Sequence, residues 1–194
     1  MPKSSIGSWL FLKEVFSSSE LPNDQVSEIV FWGRSNVGKS TLINKLTKTN
    51  LAKTSKTPGR TKSLTFYEFK KYIRIIDFPG YGYSKINEKD KIKLDKLIEF
   101  YFLRRNNIKR ILLLIDSRHG FKKIDRMILE KLILLHKNKI NIILTKTDKL
   151  RENQDLNQKI PKIFKNNFVQ QKNLFTTSFR DINGLVLLQK ALFN

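Results

Sequence analysis

The chain reads as one α/β domain, a mostly parallel six-stranded sheet with one antiparallel edge strand and helices on both faces. Three observations predict this. Short apolar runs at residues 27–32, 110–115 and 140–144 alternate with segments whose apolar residues recur at helical spacing. The runs RILLLI and INIIL are continuous, as strands covered on both faces are. Residues suited to a ligand rather than to a core follow directly after the strands, where open parallel sheets build their sites.

Bulk composition narrows the possibilities. With 194 residues the chain is long enough for one well-cored domain and too short for two ordinary ones. Lys and Arg number 38 against 17 Asp and Glu, a net charge of +21, which implies a polyanionic partner, either nucleic acid or an anionic membrane surface. The absence of cysteine excludes disulfides and thiolate metal sites, and two histidines make a zinc site a poor expectation. No apolar run reaches membrane-spanning length, and the cluster Trp9 to Leu12 is too short for a secretory signal, so a cytoplasmic protein without stable membrane insertion is expected.

Residues 1–25 hold Trp9, Leu10, Phe11, Val15 and Phe16 among serines and a Leu21-Pro22 step, and read as an N-terminal arm, either packing onto the domain ahead of the first strand or forming a tail that contacts a partner. Residues 27–32 (SEIVFW) form that strand. It runs into Gly33-Arg34-Ser35-Asn36-Val37-Gly38-Lys39-Ser40, which fits the phosphate-binding loop pattern G-x-x-x-x-G-K-[ST] at every fixed position. Backbone amides of such a loop point inward around phosphates. Lys39 reaches the β- and γ-phosphates, the Ser40 hydroxyl serves Mg²⁺, and the helix beginning near Thr41 adds the partial positive charge of its N-terminus.

A polar stretch at residues 53–61, broken by Pro58-Gly59, reads as a loop. Strands at 64–69 and 72–76, separated by Lys70-Lys71, read as an antiparallel hairpin at one edge of the sheet. The second ends in Asp77-Phe78-Pro79-Gly80. A carboxylate there can hold Mg²⁺ through water, and the Gly80 amide can sense a γ-phosphate. Residues 90–105 and 122–136 are predicted helices, with residues 110–115 the strand between them.

The strand at 140–144 ends in Thr145-Lys146-Thr147-Asp148. An Asp in this place can accept the N1–H and N2–H₂ hydrogens of guanine, which adenine does not offer, while the stem of Lys146 lies over the base. A helix at 154–164, a last strand at 173–176 and a terminal helix at 184–193 complete the chain, with Thr177, Ser178 and Phe179 as a second base contact. Two other classes stay open on these motifs: an ATP-using phosphate-loop enzyme, and an RNA-binding module that keeps its nucleotide as a structural ligand.

Together, GRSNVGKS, TPGRT, DFPGYGY and TKTD, in that order, resemble the EngB (YihA, YsxC) family of bacterial ribosome-biogenesis GTPases over nearly the whole chain. The resemblance implies a P-loop NTPase G domain over residues 26–194 that binds GTP and GDP with Mg²⁺ and hydrolyses GTP. It also implies a role in large ribosomal subunit assembly, linked to cell division and septation, with the subunit precursor as partner and a monomeric chain. Thr61 matches the first-switch threonine that engages Mg²⁺ and γ-phosphate, within a loop of Gly59, Arg60, Thr61, Lys62 and Ser63. Lys39, Thr61 and Gly80 are the implied catalytic set. Asn36 matches the asparagine that holds K⁺ in related GTPases. Thr145 stands where most GTPases carry asparagine, and Thr177-Ser178-Phe179-Arg180 follows the family's last motif loosely. Tyr81 occupies the place of the water-orienting glutamine, so unassisted hydrolysis is expected at about 10⁻⁴ to 10⁻³ per second.

Overall fold

The structure, a computed structural model, describes residues 8–53, 63–82, 87–150, 174–178 and 182–193. Its strands are β1 (Leu10–Val15), β2 (Ser27–Gly33), β3 (Leu64–Phe69), β4 (Ile73–Asp77), β5 (Ile108–Asp116), β6 (Ile140–Thr145) and β7 (Leu174–Thr176). The helices are α1 (Lys39–Thr47), α2 (Glu88–Arg104), α3 (Lys123–His136) and α4 (Ile182–Phe193). The strands form one sheet in the order β1-β3-β4-β2-β5-β6-β7. Pairing is parallel from β4 through β2, β5 and β6 to β7, and antiparallel where β3 meets β4 and β1.

The fold class is the one expected, with two corrections. Among the described residues there are seven strands rather than six, because residues within the expected arm pair with β3 from Leu10↔Glu68 to Val15↔Leu64. Consequently the β3–β4 hairpin is not an edge: β1 covers β3, and β4 lies inside, against β2. The sequence of β1 hides this because Leu10, Phe11 and Leu12 stay exposed and show no alternation of buried and exposed positions. The predicted helix at 154–164 lies outside the described residues.

Alternation along the central strands sends side chains to two cores. Val30, Ile76, Ile111, Leu113, Ile142 and Leu144 pack under α2 and α3, whose Leu97, Tyr101, Leu129 and Leu132 face them. On the opposite face Ile29, Phe31, Ile75, Leu112, Leu114 and Ile143 meet Leu42, Ile43 and Leu46 of α1 and Leu188 and Leu192 of α4. Trp9, just before β1, joins this second core through ring contacts with Phe69 and Phe193 at 5.6 and 5.8 Å. Each fully buried Leu or Ile is worth about 1.5–3 kcal/mol, so the doubly covered strands are the mechanical base of the molecule. Among the described residues no helix is long and apolar enough to cross a membrane.

Helix starts are set locally. Asn87 caps α2 by accepting the Asp90 amide at 2.8 Å, and Asp125 in the first turn of α3 accepts the Lys122 amide at 2.7 Å. The β3–β4 turn places Lys70 and Lys71 at φ 51 and 53, closed by the Tyr72 amide on the Phe69 carbonyl at 2.9 Å. This is a primed hairpin turn carrying lysines where glycine or asparagine is the low-strain choice.

At the start of β2 the Glu28 carboxylate is fully buried. It accepts the Tyr101 hydroxyl at 2.6 Å and the Arg105 guanidinium, which also reaches the Pro22 carbonyl at 2.5 Å. This pair joins β2, α2 and the segment leading out of β1. Glu28→Ala would leave the Arg105 guanidinium without its carboxylate, and is expected to lower stability by about 3–5 kcal/mol in urea unfolding. Tyr101→Phe, which removes one hydrogen bond, is expected to cost about 1–3 kcal/mol in the same measurement.

Candidate functional site

β2 delivers the chain to the phosphate loop at Gly33, which lies against Leu114 of β5. A Cβ at Gly33 would stand 2.8 Å from the Leu114 carbonyl oxygen and 3.0 Å from Val37 Cγ1, so only glycine lets the loop leave the sheet here. Asn36 and Gly38 both take positive φ, 59 and 106, the left-handed region open to asparagine and glycine. The Val37 amide donates to the Arg34 carbonyl at 3.2 Å, closing the loop, and α1 begins at Lys39. The first amides of this helix, around Ser40 and Thr41, have no acceptor within the helix and carry its positive end.

The second element comes from β4. Asp77 is its last residue, and its carboxylate forms an ion pair with the Lys39 ammonium, both side chains being largely buried. The chain then turns across the phosphate loop. A Cβ at Gly80 would lie 2.8 Å from the backbone of Ser35, and the Tyr81 amide donates to the Gly33 carbonyl at 3.3 Å. Behind this turn Phe78 is fully buried among the rings of Trp32, Tyr101 and Phe102, and Trp32 Nε1 donates to the Pro79 carbonyl at 3.2 Å.

Tyr81, in the glutamine position, turns its side chain towards α3. Its ring meets Trp32 edge-on at 5.6 Å and its hydroxyl donates to the buried Asp125 carboxylate at 2.7 Å. Burial first, and the Asp125 charge second, push the phenol pKa far up, so the group is a fixed donor.

The third element closes the site from β6. The Thr145 hydroxyl donates to the Val37 carbonyl at 2.7 Å, and the Lys146 ammonium to the Asn36 carbonyl at 2.5 Å and to Asp116 at 2.9 Å. Asp116, at the end of β5, also takes both arms of the Arg118 guanidinium at 2.9 and 2.8 Å. Burial would raise the Asp116 carboxyl pKa, but the Arg118 and Lys146 hydrogen bonds outweigh it and hold the group well below the usual range. Thr147 and Asp148 follow in a single 3₁₀ turn, with Asp148 exposed. Thr177 comes alongside: its amide donates to the Leu144 carbonyl at 2.8 Å and its carbonyl accepts from Thr147 at 3.5 Å. Ser178 is the next described residue.

The residues singled out from the sequence thus meet at the C-terminal ends of β2, β4, β6 and β7. Ser63, buried, precedes β3 at the same end, two residues before Thr65, which pairs with Asp77. Gly59, Arg60, Thr61, Lys62 and Phe179 lie outside the described residues. The donor set of Ser40 hydroxyl and Asp77 carboxylate is all oxygen, which suits Mg²⁺, and the Lys39–Asp77 pair shows that a cation is accommodated beside that carboxylate. Sequence reasoning passed over Asp116, Trp32 and Asp125. Asp116 carried a usable signal, a carboxylate ending an apolar central strand. Asp125 carried none, since only the fold brings it to Tyr81.

The family model described as the 50S ribosome-binding GTPase matches residues 28–146. A "probable GTP-binding protein EngB" of Mycoplasmopsis synoviae is 51% identical over 155 residues, covering 76% of this chain and 81% of that protein. Its namesake in Metamycoplasma arthritidis is 38% identical over 177 residues, 91% of this chain and 94% of that one. A crystal structure of a probable GTP-binding protein engB superposes with a TM-score of 0.68 at 26% identity, covering 86% of this chain and 97% of its own. On these grounds the chain belongs to the EngB family of GTP-binding proteins and carries its GTPase domain.

Proposed function

We propose that this chain is a Mg²⁺-dependent, slowly hydrolysing GTP switch that acts as a cytoplasmic monomer in assembly of the large ribosomal subunit, with a linked role in cell division and septation. The observation that carries the reading is the convergence of the phosphate loop, Asp77 and the Thr145–Asp148 segment at one end of the sheet, joined by direct bonds from Lys39 and Lys146.

Each group then has a task. Amides of Gly33, Arg34, Ser35, Asn36, Val37, Gly38, Lys39, Ser40 and Thr41 cradle the phosphates, and Lys39 exchanges Asp77 for β- and γ-phosphate oxygens. Ser40, Thr61 and, through water, Asp77 would hold Mg²⁺, whose charge would offset that of the transferring phosphoryl group. The Gly80 amide bonds the γ-phosphate, with Phe78 and Pro79 shaping its approach. Asp148 takes the guanine edge, Lys146 covers the base, and Thr145 and Thr147, with Thr177, Ser178 and Phe179, complete the base pocket. The loop of Gly59, Arg60, Thr61, Lys62 and Ser63 orders around GTP.

Two features bear on rate. Tyr81 is engaged with Asp125 and orients no water, which favours slow intrinsic turnover. The Asn36 carbonyl is taken by Lys146, leaving its side chain for K⁺, a positive charge where other GTPases bring an arginine. The net charge of +21 supports docking on ribosomal RNA through counterion release.

Nucleotide-dependent co-sedimentation with large ribosomal subunits across a salt series tests the reading as a whole. Binding that favours GTP and weakens steeply with salt is expected, and salt-insensitive or nucleotide-blind pelleting refutes it. Lys39→Ala is expected to lower multiple-turnover phosphate release by about 10²-fold or more. Asp148→Asn replaces an acceptor pair with an amide that suits the 2-carbonyl of xanthine. GTP affinity is expected to fall about 10²-fold while xanthosine triphosphate gains, measured by displacement of a labelled nucleotide with ATP as the control. Exchanging Na⁺ for K⁺ is expected to raise single-turnover hydrolysis, and equal rates in the two salts remove Asn36 as a K⁺ ligand.

A further inference from the structure

The peptide that follows Asp77 is held from behind as well as from the phosphate loop. In front, Gly80 presses on the Ser35 backbone and the Tyr81 amide bonds Gly33. Behind, the Tyr81 side chain crosses Trp32 and ends on Asp125, a carboxylate with no exposed surface in the first turn of α3. The two carboxylate oxygens of Asp125 are separately used, Oδ1 by the Tyr81 hydroxyl at 2.7 Å and Oδ2 by the Lys122 amide at 2.7 Å. The helix start therefore fixes the carboxylate, the carboxylate fixes the tyrosine, and the tyrosine fixes the peptide.

We propose that Asp125 is a positioning residue for GTP hydrolysis: through Tyr81 it sets where the Gly80–Tyr81 backbone sits over the phosphate loop, and it ties that placement to helix α3. The inference rests on the GTPase reading of the site and adds a residue distant in sequence and out of reach of any nucleotide. It also gives the residue in the glutamine position a use. A tyrosine that orients no water still holds the neighbouring amide in register with the γ-phosphate, and misplacement of such a group by about 1 Å costs up to about 10²-fold in rate. Trp32 lies in the same contact, edge-on to Tyr81 and bonded to the Pro79 carbonyl, so its fluorescence reports on this peptide. Trp9, the other tryptophan, sits in the opposite core.

The experiment compares the full chain with Tyr81→Phe, Asp125→Asn and the double variant, all in a Trp9→Phe background. Phenylalanine keeps the ring on Trp32 and deletes the hydroxyl. Asparagine can keep the Lys122 amide on its oxygen, but its NH₂ then faces the Tyr81 hydroxyl, so the charge-assisted bond from that hydroxyl to a carboxylate is lost and at most a weaker, reversed one replaces it. Single-turnover GTP hydrolysis is expected to fall about tenfold in each single variant and no further in the double, with GDP affinity within about twofold of the parent. The Trp32 emission difference between the GTP- and GDP-bound forms is expected to shrink in step. Unchanged single-turnover rates overturn the proposal, as do losses that multiply in the double variant. Rates that fall together with GDP affinity and the melting temperature overturn it too, since they mark a merely structural contact. If the parent itself shows no hydrolysis or no preference for guanine nucleotides, it is the reading of the site that fails.

Discussion

The phosphate loop makes few hydrogen bonds of its own, and the geometry of the whole site depends on what its neighbours do to it. Its carbonyls at Asn36 and Val37 are held by Lys146 and Thr145 from β6, its lysine by Asp77 from β4, and its start by the close approach of Gly33 to Leu114 of β5. An anion cradle needs amides turned inward, and amides turn inward only if the carbonyls on the other side of each peptide find donors elsewhere. Thr145 and Lys146 are those donors. The threonine at the place where most GTPases carry asparagine thus links the end of β6 to the phosphate loop through its hydroxyl.

The aromatic cluster behind the second element has a comparable part. Trp32, Phe78, Tyr101 and Phe102 pack ring against ring under α2, and Phe78 and Trp32 bring that packing up to the Asp77–Gly80 turn. Tyr101 carries it down to Glu28 and Arg105 at the opposite end of the sheet. The Asp77–Gly80 turn is therefore built on closely packed rings of the core. Any movement it makes requires side chains of α2 and α3 to give way together.

Much of this was legible in the sequence where one residue type can meet one physical demand. The phosphate loop announces itself because Gly33 has no room for a Cβ and Gly38 takes a φ that side chains rarely adopt, and the buried strands because RILLLI and INIIL are nearly continuous apolar runs. What was not legible depends on partners far along the chain. β1 shows no alternation, so only its pairing with β3 marks it as a strand. Asp125 looks like an ordinary first-turn acid until the fold brings Tyr81 to it, and Arg118 and Lys146 converge on Asp116 only once β5 and β6 lie side by side. The sequence showed that Tyr81 is not a glutamine. Where its ring would go was a question about Trp32 and α3.

The position of β1 also bears on the order in which the sheet is completed. Its partner strand lies about fifty residues further along the chain, beyond the phosphate loop and α1, so closing this contact costs more chain entropy than closing a hairpin. During synthesis Leu10, Phe11 and Leu12 emerge with no strand to join, and they wait through the making of β2 and α1 for β3 to arrive. Until then the segment is an apolar strand with both edges open, the kind of intermediate most prone to pair with a neighbour. This edge strand is thus made before the strand it pairs with, and it stays unpaired until β3 is complete.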